Sequence, residues 1–438
     1  MVTISGSGAT LVEFVAAEDA RPLTWSDKVA GTALTGRSSA SLVSNPVAMS
    51  ELPTPLLTIE HPTLSRNIAL MQEWCNAHGV LLAPHGKTTM APRLWRDQID
   101  AGAWGITVAT ESQLRVAVES GVSRVHLANT LLSPEGLRWL VAHRIAHPEL
   151  VTQFWIDSVE SMHLIERAVD QAPASAAIPV LLEVGTPGGR TGVRSLEQAL
   201  NVAGAISASR HLSLVGIAGY EGAVHAAPSD QLDAIDRYLT TIAGLHERLA
   251  PLYCEDEVFL SAGGSSYFDR VVAIFGEAAR KSAVLTHVLI RSGAYVAHDD
   301  GIYAQNTPSL RGDGPAFNAA MHAWARVVST PERGLAILDA GRRDLPFDQG
   351  MPVPQQLRRP LPAGSFSDPQ LLDATVTQLN DQHAFLEYPG DTDIRPGDVV
   401  RLGISHPCTA FDKWRTIPLI ESADASDPRV HGFVRTYF

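Results

Sequence analysis

Two hydrophobic patterns alternate along most of the chain. Short, nearly continuous apolar runs mark buried strands, and apolar residues recurring every three or four positions mark helices packed on one face. The strand-like runs fall at 80–83, 105–109, 124–128, 153–157, 179–184, 214–219, 258–261 and 288–291. Helical spacing separates most of them, as at 111–120 and 231–249. Eight strand–helix units in series predict an α/β fold, a (β/α)8 TIM-type barrel over residues 51–300. A doubly wound sheet is the alternative, but no Gly-x-Gly-x-x-Gly follows any strand. Before the series, 52–59 reads as a strand bounded by prolines. Leu64, Ile68, Met71 and Cys75 then recur at helical spacing up to Gly79, so Cys75 reads as core.

Past residue 300 the rhythm changes. Residues 306–316 read as a loop, and β-like runs follow at 323–328, 335–339, 399–404 and 430–437. This predicts a second, mostly β domain over 301–438, with which the strand 52–59 is available to pair. The proline-rich stretch 342–369 reads as irregular, and loops of that length usually carry function or move. Residues 1–50 are rich in Ala, Gly, Ser and Thr and read as an N-terminal extension with one short helix near 11–17. Ser5-Gly6-Ser7-Gly8 lacks both a third glycine and a preceding strand, so it is not read as a phosphate loop. Either the extension or 342–369 is expected to cover the active site.

Charge and cysteine usage narrow the function classes. The net charge of −13 argues against nucleic-acid binding. Cys75, Cys254 and Cys408 are odd in number and far apart, which fits a reducing compartment rather than a disulfide framework. No apolar run is long enough to span a membrane, and the N-terminus lacks a basic region followed by an apolar one. A cytoplasmic, soluble protein is expected.

The chemistry gathers at the strand ends, where barrel enzymes keep their active sites. The chain holds four lysines, Lys28, Lys87, Lys281 and Lys413, and only Lys87 directly follows a buried-looking strand. Partial desolvation there would lower its pKa and free the amine as a nucleophile, as a Schiff-base lysine requires. The plain alternative is a lysine that pairs with a carboxylate. Thr110, Asn129, Asp157, Arg190, Tyr220, Ser265, Ser266, Arg291 and Tyr295 follow the other strands. Gly263-Gly264-Ser265-Ser266 suits a phosphate, through backbone amides and hydroxyls. The glycine-rich loop 185–192 delivers Arg190, either to an anionic ligand oxygen or to Glu183. In the β domain, His406 and Cys408 are two apart and share a face if extended, an imidazole–thiolate pair suited to Zn2+. A structural role for that pair is the plain alternative, and His383 is a candidate further ligand.

Taken together, these segments resemble the D-serine dehydratase and D-threonine aldolase group of fold-type III, alanine-racemase-like pyridoxal phosphate enzymes. The resemblance covers residues 52–438. It rests on Pro53-Thr54-Pro55, Pro84-His85-Gly86-Lys87-Thr88, Gly263-Gly264-Ser265-Ser266, Asp339-Ala340-Gly341-Arg342-Arg343-Asp344 and His406-Pro407-Cys408. It implies that Lys87 holds the cofactor aldehyde, with His85 in the same segment. It further implies that Arg190 lies near the ring's phenolic oxygen and that Gly263 to Ser266 cradle the phosphate. Tyr220 and Tyr295 would line the pocket and take part in catalysis. His406 and Cys408 would bind a divalent metal, zinc by preference, and the assembly would be a homodimer. The extension and residues 409–414 depart from the group's shorter members.

The implied activity is dehydration and deamination of a small β-hydroxy D-amino acid such as D-serine to a 2-oxo acid and ammonia. A retro-aldol cleavage uses the same cofactor and metal. By resemblance, aldolases of the group tend to carry His-x-Asp where dehydratases carry His-x-Cys. Racemisation and a non-catalytic cofactor carrier are further readings, but neither gives the metal pair a task. A metal-dependent hydrolase would instead place histidines at several strand ends.

Overall fold

The computed structural model describes residues 10–170, 177–361 and 364–438; Ser5 to Gly8 lie outside them. Eight strands, Leu81–Leu82, Ile106–Val108, Arg124–Leu127, Val151–Ile156, Ile178–Val184, Leu212–Gly219, Glu257–Ala262 and Leu285–Ile290, form one sheet. Every pairing within it is parallel. The sheet curls until its ends meet. Trp104 N–H donates to Leu82 O at 2.7 Å and Thr107 N–H to Pro84 O at 2.9 Å, and His85 bridges Thr107. The barrel expectation therefore holds, and all eight sequence runs map onto its strands.

Alternate strand residues face opposite ways: Trp155, Leu181, Val215 and Ala218 form a small cluster inside the barrel, and Val108, Leu182, Ile217 and Leu260 are fully buried in the main core outside it. Gly216 marks the tightest approach. Its φ is +154°, and a Cβ there would sit 2.1 Å from Phe259 O, so only glycine lets the sixth and seventh strands meet.

A second sheet is built from both ends of the chain. Its central strand, Met321–Glu332, pairs with Leu56–Glu60 on one side and with Val399–Gly403 on the other. Leu56–Glu60 also runs parallel to Thr416–Ile420, which pairs with Arg429–Arg435, and that strand takes Val47–Ala48. The helix His61–His78 then leads into the barrel. Pro62 suits its first turn, and Gly79, at φ 64°, ends it in the left-handed conformation. Its inward face carries Leu64, Ile68, Met71 and Cys75, and burial pushes the Cys75 thiol pKa up to about 12, which makes it inert packing.

Two sequence expectations need correction. The stretch 342–369 is not wholly irregular, because Val353–Arg358 is a strand paired with Val399–Gly403. The N-terminal extension holds more than the one short helix expected near 11–17. Leu11–Ala20 is a helix closed by a Thr10–Glu13 capping box, and Ser39–Ser44 is a second helix. Val15, Leu23, Val29, Leu34 and Leu42 are buried in the main core. These apolar residues are too sparsely spaced to show a period, so pattern reading passes over them. Arg93 fastens the segment by bonding Asp19 and Ser39, each at 3.0 Å.

Leu34 is fully buried, so Leu34→Ala should cost about 2–5 kcal/mol in a urea unfolding experiment. A loss below about 0.5 kcal/mol, as at an exposed site, would contradict the extension's place in the core.

Candidate active site

A cavity of about 210 Å³ opens at the C-terminal ends of the barrel strands. Lys87, His85, Asn129, Trp155, Glu183, Arg190, Thr191, Tyr220, Gly263, Gly264 and Arg291 face it. A larger, open groove of about 1100 Å³ adjoins it beside the helix Gln231–Leu249 and shares Arg190 and Tyr220. That groove contains no lysine or cysteine, so the chemistry lies in the smaller cavity.

Lys87 lies in a short turn, Gly86–Thr88, directly after the first barrel strand. Its side chain reaches solvent through the cavity, yet protein crowds it on the other sides. This partial desolvation lowers its pKa from the ordinary lysine value; Arg190 and Arg291 add to the effect, and Cys408 opposes it. No carboxylate pairs with Lys87 among the described residues, so the plain salt-bridge reading has no partner. Burial of His85, reinforced by Lys87 and Arg291, holds its imidazole pKa well below the usual value. The ring is therefore neutral and uncharged beside Lys87.

Arg291, at the end of the eighth strand, is almost fully buried. Its guanidinium donates to Ser261 Oγ and Gly219 O, both at 2.6 Å, and stacks 4.9 Å from Trp155. Arg190 stacks on Tyr220 at 5.1 Å. Glu183 is not its partner: that carboxylate accepts from Thr191 Oγ1 at 2.7 Å, and Asp157 accepts from Gly192 N–H at 2.9 Å. The glycine-rich loop is thus anchored by two acids, and Arg190 stays free to meet an anion. Tyr238 ties this loop to the next, donating to Val184 O and accepting from Tyr220 N–H.

The glycine–serine turn differs from the expected phosphate cradle. Gly263 N–H donates to Glu221 Oε2 at 3.0 Å and Gly264 N–H to Oε1 at 2.5 Å. Glu221 is fully buried, so both glycine amides are already committed to one carboxylate. Donors for a phosphate lie one step on, at the Ser265 and Ser266 amides, which have no protein acceptor among the described residues. Ser265 Oγ accepts from Ala294 N–H at 3.1 Å.

Tyr295 also departs from its expected role. Its ring packs on Phe317 at 5.6 Å, its hydroxyl meets Gln98 at 2.9 Å, and it does not face the cavity. Tyr303 lies at the site instead. Its ring is 6.3 Å from that of His406, and its hydroxyl bonds Ser265. Asp299 holds it there by accepting from the Gly301 and Tyr303 N–H groups, both at 2.9 Å.

The His406–Cys408 pair reaches the barrel from the β sheet of the same chain. Cys408 is the second residue of the short helix Pro407–Phe411, hydrogen-bonds the His406 ring and lies 3.4 Å from Thr88 Oγ1. The pair therefore sits one residue from Lys87. No group of three or more His, Cys, Asp or Glu is arranged around a metal among the described residues. Two protein donors would leave further positions to water or substrate, as at catalytic rather than structural sites. His383 takes no part, because it lies in the hairpin turn before Ala384–Glu387.

Residues 320–420 match the family model described as "Putative serine dehydratase domain". The chain is similar to proteins of the D-serine dehydratase and D-threonine aldolase group. It is 26% identical over 310 residues to the 3-hydroxy-D-aspartate aldolase of Paracoccus denitrificans (strain Pd 1222), covering 69% of this chain and 76% of that protein. It is 28% identical over 300 residues to the D-threo-3-hydroxyaspartate dehydratase of Delftia sp. (strain HT23), covering 68% and 74%. Its fold is that of the D-threonine aldolase from Filomicrobium marinum, with a TM-score of 0.72 at 23% identity over 89% of this chain and 96% of that one. An alanine racemase-like protein from Idiomarina loihiensis superposes with a TM-score of 0.64 at 18% identity, covering 89% and 98%. No helix among the described residues is long and apolar enough to cross a membrane.

Glu221, Tyr303 and Trp155 are site residues that sequence reading passed over. Glu221 stands beside the selected Tyr220, but its partners lie 42 and 43 residues away. Glu221→Gln keeps the size and leaves one acceptor for two amides. It should lower the stability of the cofactor-free protein by about 1–3 kcal/mol in urea, and an unchanged midpoint would show that the contact is dispensable.

Proposed function

We propose that this chain is a pyridoxal phosphate- and metal-dependent lyase that dehydrates and deaminates a small β-hydroxy D-amino acid, D-serine-like, to a 2-oxo acid and ammonia. The observation that carries the reading is the contact of Cys408, itself hydrogen-bonded to His406, with Thr88, next to the partly desolvated Lys87. The named relatives act on β-hydroxy D-amino acids, by dehydration in one case and aldol cleavage in another. A cytoplasmic homodimer, with zinc as the cation and the amino acid as its small-molecule partner, completes the proposal.

Lys87, Arg190, Tyr220, Arg291 and the Ser265–Ser266 turn would hold the cofactor, and His406 with Cys408 the metal. When bound, the cofactor ring supplies an electron sink for charge at Cα, and the metal supplies a Lewis acid for the β-hydroxyl. The chain's own residues do the rest. Lys87 Nζ, with its lowered pKa, is neutral for a larger fraction of the time at a given pH and takes the proton from Cα. Arg190 and Arg291 keep the cavity cationic for an anionic ligand. Tyr303 stays a protonated donor, because burial, with neighbouring Cys408, pushes its pKa up.

Aldol cleavage is the second reading, favoured by the aldolase fold match and the Paracoccus relative. Metal-replete protein given D-threonine should release 2-oxobutanoate and ammonia; glycine and acetaldehyde would replace dehydration with aldol cleavage. Lys87→Ala should abolish turnover and the cofactor's visible absorbance, and retention of both would refute Lys87 as the cofactor's anchor.

A further inference from the structure

His406 does not stand alone on its strand end. Its Nδ1 lies 2.7 Å from Asp348 Oδ2. A carboxylate only accepts, so Nδ1 carries a proton, and Nε2 is the ring nitrogen left to meet a cation. The other oxygen, Oδ1, accepts from Thr409 Oγ1 at 2.6 Å, and Thr409 Oγ1 also lies 3.4 Å from His406 O. Asp348 is thus held at both oxygens, by the ring it orients and by the residue after Cys408.

The segment that delivers Asp348 is itself braced. Gly341 N–H donates to Asp344 Oδ2 at 3.0 Å, and a Cβ on Gly341 would lie 2.4 Å from Asn380 O, so the backbone passes there only as glycine. Lys28 from the N-terminal extension pairs with Asp344 Oδ1 at 2.7 Å and sits 3.6 Å over the Trp414 ring. Trp414 Nε1–H donates to Asp344 O at 2.9 Å. Both stretches that sequence reading left unassigned therefore converge behind Asp348: 342–369 supplies it, and the extension buttresses the turn before it.

Resting on the metal reading above, we propose that Asp348 is a positioning residue for the cation. It fixes the Nδ1–H tautomer and the ring angle of His406, so that Nε2 and the Cys408 thiolate face one ion together. Carboxylate–histidine pairs of this kind raise the basicity of a ligating imidazole, and losing the carboxylate typically weakens metal binding by about 10–100-fold.

The test is calorimetric titration of Zn2+ into chelator-treated full-length protein. Wild type should bind one equivalent, and His406→Ala should bind none. Asp348→Ala should bind about 10–100-fold more weakly. Asp348→Asn, whose amide oxygen still accepts from Nδ1–H, should fall between Asp348→Ala and wild type. Metal-free melting temperatures of both Asp348 variants should match wild type, which separates ring positioning from a fold defect. Asp348→Ala binding as tightly as wild type, while His406→Ala binds nothing, would overturn the role of Asp348 and leave the metal reading standing. Equal binding by wild type and His406→Ala, or none by either, would overturn both.

Discussion

The site depends on how the barrel closes at its first strand. That strand is short because Pro84 ends it, and the sheet is sealed by backbone bonds from Trp104 and Thr107 to Leu82 and Pro84. Closure brings chain segments very near one another. A Cβ on Gly86 would lie 2.7 Å from Ile106 and 2.9 Å from the Trp95 indole, and one on Gly293 would lie 2.5 Å from His85 O. The same contacts that complete the sheet therefore fix the turn carrying Lys87 and Thr88. Thr88 in turn receives Cys408, so barrel closure and the meeting of the two halves of the site share one piece of backbone.

The electrostatics follow from this crowding. Lys87, Arg190 and Arg291 surround one small cavity in a chain of net charge −13. Partial desolvation of Lys87, reinforced by the neighbouring charges of Arg190 and Arg291, is why it gives up its proton more readily than a surface lysine. The nearby acids are already engaged. Glu183 holds Thr191, Asp157 holds Gly192, and Glu221 holds the two glycines of the seventh-strand turn. Each acid shapes a loop instead of neutralising a cation, so the cavity keeps its positive field for an anionic ligand.

The second sheet shows why the chain's two ends belong together. Leu56–Glu60 sits between Met321–Glu332 and Thr416–Ile420, and Val47–Ala48 adds to Arg429–Arg435. Arg435 reaches further and donates to Glu18 O and Arg21 O in the extension. Residues 10–60 thus frame the sheet that presents His406 and Cys408.

What the sequence determined by itself were the features set by local period and rare residue types. Eight apolar runs at strand length, separated by helical spacing and with no Gly-x-Gly-x-x-Gly after any of them, point to a barrel over a doubly wound sheet, the other way in which alternating strands and helices bury both faces of a parallel sheet. Lys87 stood out because so few lysines are present and only one follows a buried strand. His406 and Cys408 stood out because two ligand types lie two residues apart. The tertiary structure decided everything that depends on a partner distant in sequence. The amides of Gly263 and Gly264 look free until Glu221 is folded beneath them. Tyr295 and Tyr303 both follow the eighth strand, and only packing against Phe317 or His406 tells them apart. The scattered leucines of the extension carry no period and find their core only through contacts with the barrel and the second sheet. Asp348 is one acid among many until the chain folds it onto His406. A buried polar group is defined by the group it meets, and that meeting is a long-range event which no local pattern encodes.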